Sequence, residues 1–159
     1  MTVYFGIINK RCGFAMEGAR DSIRNGGTEM YEFKDEFRVG IDFIDDEHKK
    51  LFEIADRAYN VLMDEFIPDK YDYIVDIINE LKDYAATHFR HEEEYMESIK
   101  YRRLLSQKVM HNDFMEELSK YNIYELDNEN QKEVILEILN FLNDWLINHI
   151  LKADILIGK

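Results

Sequence analysis

The chain is poor in the residues that break or staple a fold. One cysteine, Cys12, excludes an internal disulfide and fits a reducing, cytoplasmic setting. Proline occurs once, at Pro68, and five of the seven glycines fall within the first 29 residues, so the long remainder has few interruptions to helix. No uninterrupted apolar run approaches the roughly 20 residues that span a bilayer, and the first residues lack the order of a signal peptide. Positive charge is also scarce: 20 basic against 33 acidic side chains leave a net charge of −13, which disfavours nucleic acid or an anionic membrane as partner. The 159 residues, 46% of them hydrophobic, suffice for one domain with a sizeable core.

Two compositions divide the chain. Residues 1–29, ending beyond the turn-prone pair Gly26-Gly27, form an N-terminal extension of unknown role, and residues 30–159 carry all five histidines. From Ile41 onward apolar residues recur three and four apart, which predicts four helices. The first runs from Asp42 or Asp45 to Glu65 and presents Ile44, His48, Leu51, Phe52, Ala55, Tyr59 and Leu62 on one side, before Pro68 and Asp69 interrupt. The second, from Lys70 to Ser98, presents Ile74, Ile77, Leu81, Tyr84, His88, Glu92, Tyr95 and Ile99. A third, from Arg102 to Tyr121, carries Leu104, Gln107, His111, Phe114 and Leu118. Asn128-Glu129-Asn130-Gln131 reads as a capping box for the fourth, which carries Val134, Ile138, Leu142, Trp145 and His149 toward Asp154. Short connections make neighbours antiparallel, so the expected fold is all-α: an up-down-up-down four-helix bundle with an N-terminal extension.

Histidine and carboxylate on the inner stripes point to metal. A buried imidazole beside a buried carboxylate is costly unless something satisfies both, and a cation does so directly. His88 and Glu92, one turn apart, share a helical face. His149 and Asp154, five apart, diverge by about 140° on a straight helix, so the pair meets only if the helix end loosens or Asp154 reaches inward. A lone inward histidine is more often a hydrogen-bonded core residue than a ligand, but here each of four helices carries one. His91 lies on another face and is expected at the rim, and the acidic runs Asp45-Asp46-Glu47 and Glu92-Glu93-Glu94 read, apart from Glu92, as solvated faces. No histidine has a glutamate three residues before it, as ferritin-like di-iron bundles need, and there is no His-Glu-x-x-His motif, phosphate-cradling loop or nucleophile elbow.

From Met30 to Asp154 the chain resembles the bacterial hemerythrins, oxygen-binding bundles with a non-haem di-iron centre. The matching stretches are Val39-Gly40-Ile41-Asp42, Ile44-Asp45-Asp46-Glu47-His48-Lys49-Lys50-Leu51-Phe52, His88-Phe89-x-x-Glu92-Glu93-x-x-Met96, His111-x-x-Phe114 and Trp145-Leu146-x-x-His149-Ile150-x-x-x-Asp154. The resemblance implies two non-haem iron ions with an oxo or hydroxo bridge. His48 and His88 would bind one, His111 and His149 the other, and Glu92 and Asp154 would bridge both. Leu51, Phe89, Trp145 and Leu146 would form the apolar pocket around the exchangeable position, with dioxygen or another small neutral molecule as partner. Ligand chemistry alone would also admit zinc or manganese.

One position departs from the family pattern. Where the third helix is expected to read His-x-x-x-His, this chain has Gln107-Lys108-Val109-Met110-His111. The Gln107 amide oxygen ligates, or water takes the position, or the second iron binds weakly; an amide oxygen is a poorer donor than imidazole to ferrous iron. The six matched ligands make oxygen carriage, storage or sensing the leading expectation. A di-iron enzyme acting on peroxide or nitric oxide is the alternative, and a sensor whose extension is the output is a third reading. Oligomeric state has no signature in the sequence.

Overall fold

The computed structural model describes residues 31–67, 70–121 and 131–159. Pro68, Asp69 and the first three residues of the expected capping box lie outside the described residues, as does the extension up to Met30. Four helices make up the fold: α1 (Asp42–Met63), α2 (Tyr71–Ser98), α3 (Leu104–Ser119) and α4 (Gln131–Lys152). Short 3₁₀ turns precede and follow the bundle at Asp35–Phe37 and Asp154–Leu156, and the described residues contain no strand. The all-α four-helix architecture is thus the one expected from the 3.6-residue period. α1 packs on α2 and α4, and α2 packs on α3.

The buried stripes differ in detail from those expected. On α2 the inward positions are Ile74, Ile78, Leu81, Ala85, His88, Glu92 and Met96. Ile77, Tyr84 and Tyr95 lie at the flank and Ile99 is exposed. Both stripes advance by steps of three and four and share Ile74, Leu81, His88 and Glu92; they part where adjacent apolar residues compete, and Ile78, Ala85 and Met96 take the inward place over Ile77, Tyr84 and Tyr95. On α4 Ile135 and Leu139 are buried, whereas Val134 and Trp145 are only partly so. The 131–156 segment is long and apolar enough by composition to cross a membrane, and its Ile135, Ile138, Leu139, Leu142 and Ile150 are buried in the bundle core.

Two helix ends at the same end of the bundle are closed by specific local chemistry. The α2 C-terminus ends in a Schellman arrangement, with the Tyr101 N–H donating to Met96 O at 2.8 Å and the Lys100 N–H to Glu97 O at 3.0 Å. Lys100 takes the left-handed φ of 53° that this motif requires. At the start of α1 the Asp45 carboxylate turns back and accepts from the Val39 and Gly40 N–H groups at 2.7 and 3.1 Å. Asp45 is therefore buried and not part of a solvated acidic face. Gly158 passes so close to the Val39 carbonyl that a Cβ there would sit 2.1 Å from the oxygen, so the C-terminal turn is pressed against the entry to α1.

Candidate metal centre

The helical period delivers polar side chains to one end of the bundle. His48 lies in the first half of α1, His88 and Glu92 in the second half of α2, Gln107 and His111 in the first half of α3, and His149 near the end of α4. Antiparallel order brings these halves together. Asp154 joins them because α4 stops at Lys152 and the chain tightens into a 3₁₀ turn, with the Ala153 N–H still donating to His149 O at 2.8 Å. Ala153, with φ −119°, departs from the helical backbone, and this break re-aims the chain so that Asp154 meets His149 in spite of the five-residue spacing. His48, His88, Glu92, Gln107, His111, His149 and Asp154 are all buried, Glu92 and Asp154 with no exposed surface.

The side chains fall into two groups that share Glu92. Donor atoms of His48, His88 and Glu92 lie within 4.8 Å of one another, as do those of Glu92, His111, His149 and Asp154. Asp154 spans both groups: one oxygen lies 3.0 Å from His149 Nε2 and the other 3.5 Å from His48 Nε2. The two Nε2 atoms of His111 and His149 approach to 3.0 Å. Glu92 Oε2 is 3.3 Å from His111 Nε2, close enough for an ion pair but without hydrogen-bond alignment.

Carboxylates outside the cluster hold the histidines from behind. Glu47 accepts from His88 Nδ1 at 2.9 Å and from His91 Nδ1 at 2.6 Å, bridging α1 and α2. Glu93 accepts from His111 Nδ1 at 2.8 Å. Each carboxylate thereby places the proton on Nδ1 and turns the Nε2 lone pair inward. Sequence reasoning missed both, assigning Glu47 and Glu93 to solvated faces, because their partners sit on neighbouring helices and leave no spacing within their own. His91 is a half-exposed rim residue, as expected, but it is tied to the site through Glu47.

Electrostatics act in opposite directions on the two buried carboxylates and disfavour protonation of two of the imidazoles. Burial holds His88 and His111 below the ordinary histidine range, against the opposing pull of Glu47 and Glu93. Burial and the facing Asp154 push Glu92 up to about 8. Burial also works on Asp154, but His149 and His48 outweigh it and hold its carboxyl well below the usual range. Glu47 is lowered by its two histidine partners in spite of its partial burial.

Among the described residues, the buried side-chain nitrogen and oxygen atoms without a hydrogen-bond partner all belong to this cluster. They are both ring nitrogens of His48, His88 Nε2, both oxygens of Glu92, Gln107 Oε1 and Asp154 Oδ2. Each such atom costs about 1–3 kcal/mol when left unmatched, so their concentration at one point is a large expense that cations would remove. Imidazole nitrogens from four helices and two carboxylates form a donor set that suits a pair of divalent ions.

An apolar wall adjoins the centre. Leu51, Phe89 and Leu146 line a cavity of about 20 Å³ together with Phe52, Phe114 and Leu142. That space is enough for one small molecule. Phe89 stacks on His111 with centroids 4.1 Å apart, and Trp145 stacks on His149 at 4.3 Å while packing on Phe89 and Phe114 behind the cavity.

Residues 39–158 match the family model described as the Hemerythrin HHE cation binding domain. The chain is 49% identical to a bacteriohemerythrin of Clostridium acetobutylicum over 125 residues, covering 79% of this chain and 96% of that protein. It is 31% identical to myohemerythrin-1 of Phascolopsis gouldii over 79% of this chain and 90% of that one. A bacteriohemerythrin of Pseudomonas paraeruginosa is 31% identical over 77% and 75%.

Proposed function

The chain belongs to the hemerythrin HHE cation-binding family, and from that premise we propose a non-haem di-iron protein that binds dioxygen. The observation that carries this reading is the convergence of unpartnered buried nitrogen and oxygen atoms from all four helices and the turn after α4. His48 and His88 would hold one iron, His111 and His149 the other, with Glu92 and Asp154 shared between them. The iron pair, when bound, supplies the reversible electron transfer on which dioxygen binding depends.

The chain's own residues prepare that chemistry. Glu47 and Glu93 fix the tautomer and orientation of His88 and His111. Leu51, Phe89 and Leu146 keep the adjoining cavity free of polar atoms, favouring a small neutral molecule over water. Trp145 and Phe89 clamp the imidazoles of His149 and His111 by stacking, which limits their rotation. The lone Cys12 suits a cytoplasmic setting for such a centre.

Metal analysis after anaerobic iron loading, followed by brief exposure to oxygen, tests the proposal. Two irons per chain and an absorption change that reverses on deoxygenation are expected; well under two irons, or no change, overturns it. A second reading, an enzyme acting on peroxide or nitric oxide, draws support from Gln107, whose Oε1 is buried and unmatched beside the centre. Catalytic peroxide turnover by the wild type that diminishes in Gln107→His favours it, and negligible turnover in both counts against it.

A further inference from the structure

Gln107 is 1% exposed, one turn before His111 on α3. Its amide nitrogen donates to Asp154 Oδ1 at 3.0 Å, the same oxygen that faces His149 Nε2. This contact assigns the two ends of the amide, because a carboxylate oxygen can only accept and the NH2 is the amide's only donor. A hydrogen bond to a buried carboxylate is charge-assisted and roughly twice as strong as a neutral one, so the amide is anchored by its nitrogen end. Oε1 is then left without a donor, at a cost of about 1–3 kcal/mol.

Two facts about amide oxygen decide what relieves that cost. It is a poor ligand beside imidazole and carboxylate, so it competes weakly for a metal already offered His111, His149, Glu92 and Asp154. It is, however, a good acceptor for an O–H group. We propose that Gln107 forms a subsite for a small hydroxylic ligand, water in the resting protein, on the α3–α4 side of the centre. The nitrogen end positions Asp154, and the oxygen end accepts from the ligand. Dioxygen has no proton to offer and gains nothing there, so this subsite is chemically distinct from the apolar cavity lined by Leu51, Phe89 and Leu146.

The subsite rests on the two-metal reading above and is tested on the full chain loaded with manganese(II), whose paramagnetism reports exchangeable water. Metal content is measured on the same samples. Water-proton relaxation in the wild type is expected to exceed that of Gln107→His by about twofold, because an imidazole would take the metal position of the water held beside Gln107. Equal relaxation with two metals bound in both proteins overturns the subsite. Fewer than two metals in the wild type instead overturns the two-metal reading, and the metal content separates the two failures. Should Gln107→His misfold, Gln107→Leu, which leaves the position open but removes the acceptor, is expected to shorten the water residence time severalfold; an unchanged residence time overturns the hydrogen bond to Oε1.

Discussion

The same four helices run through two ends of the bundle that follow opposite rules. At one end Ile74, Ile78, Leu118, Ile135, Ile138 and Leu139 fill the interior with hydrocarbon, almost completely shielded from solvent. At the other, His48, His88, Glu92, His111, His149 and Asp154 occupy equally buried positions on the same stripes. The hydrocarbon end gains free energy from burial alone, roughly 25 cal/mol per Å² of apolar surface. The polar end loses free energy on burial and recovers it only when something matches its unpaired atoms. Stability is therefore concentrated at one end and specificity for a ligand at the other.

Removing Glu92's charge should break that contrast most strongly. Its folded value of about 8 lies above the ordinary 4.5, so the stability linked to its neutral form is present below pH 4.5 and is lost as pH rises through 8. Urea unfolding of the metal-free protein at both ends of that range should show wild-type stability falling relative to Glu92→Gln as pH rises, while the lowered His88 and His111 pull the other way in both proteins. Parallel pH dependences in the two proteins would remove Glu92 as its source. The variant should also retain less metal.

At the hydrocarbon end, Ile138→Ala should destabilise the protein by about 2–5 kcal/mol, by the same amount with and without metal, and leave metal stoichiometry unchanged. A metal-dependent loss would mean that the two ends are mechanically coupled. A smaller effect is expected one shell out from the centre. Glu47→Gln keeps the shape but weakens the grip on the His88 Nδ1 proton, and should lower metal affinity by about 10–100-fold in a chelator competition. Unchanged affinity would reduce Glu47 to a surface bridge between α1 and α2.

Much of the polar end was legible in the chain. An inward histidine on each helix, and the one-turn spacing of His88 and Glu92, follow from counting residues along a 3.6-residue period. The supporting carboxylates were not legible. Asp45, Glu47 and Glu93 sit in acidic runs that resemble ordinary solvated faces, and their distinction lies in partners on other segments: the Val39 and Gly40 amides, His88 and His91, and His111. The resemblance places Trp145 in the apolar pocket, and only the packing shows that its ring also stacks on His149 and meets Phe89 edge-on.

The sequence by itself determined that four amphipathic helices form and that each turns a histidine inward, because both properties depend only on the order of residues along one helix. It also placed Gln107 one turn before His111 on the same inward stripe. Tertiary structure decided the rest: that a 3₁₀ turn swings Asp154 back between the two histidine pairs, that Glu47 and Glu93 brace rings on neighbouring helices, and that the Gln107 nitrogen faces a carboxylate. Those contacts join atoms on different helices, and their distances depend on how the helices pack rather than on any local spacing.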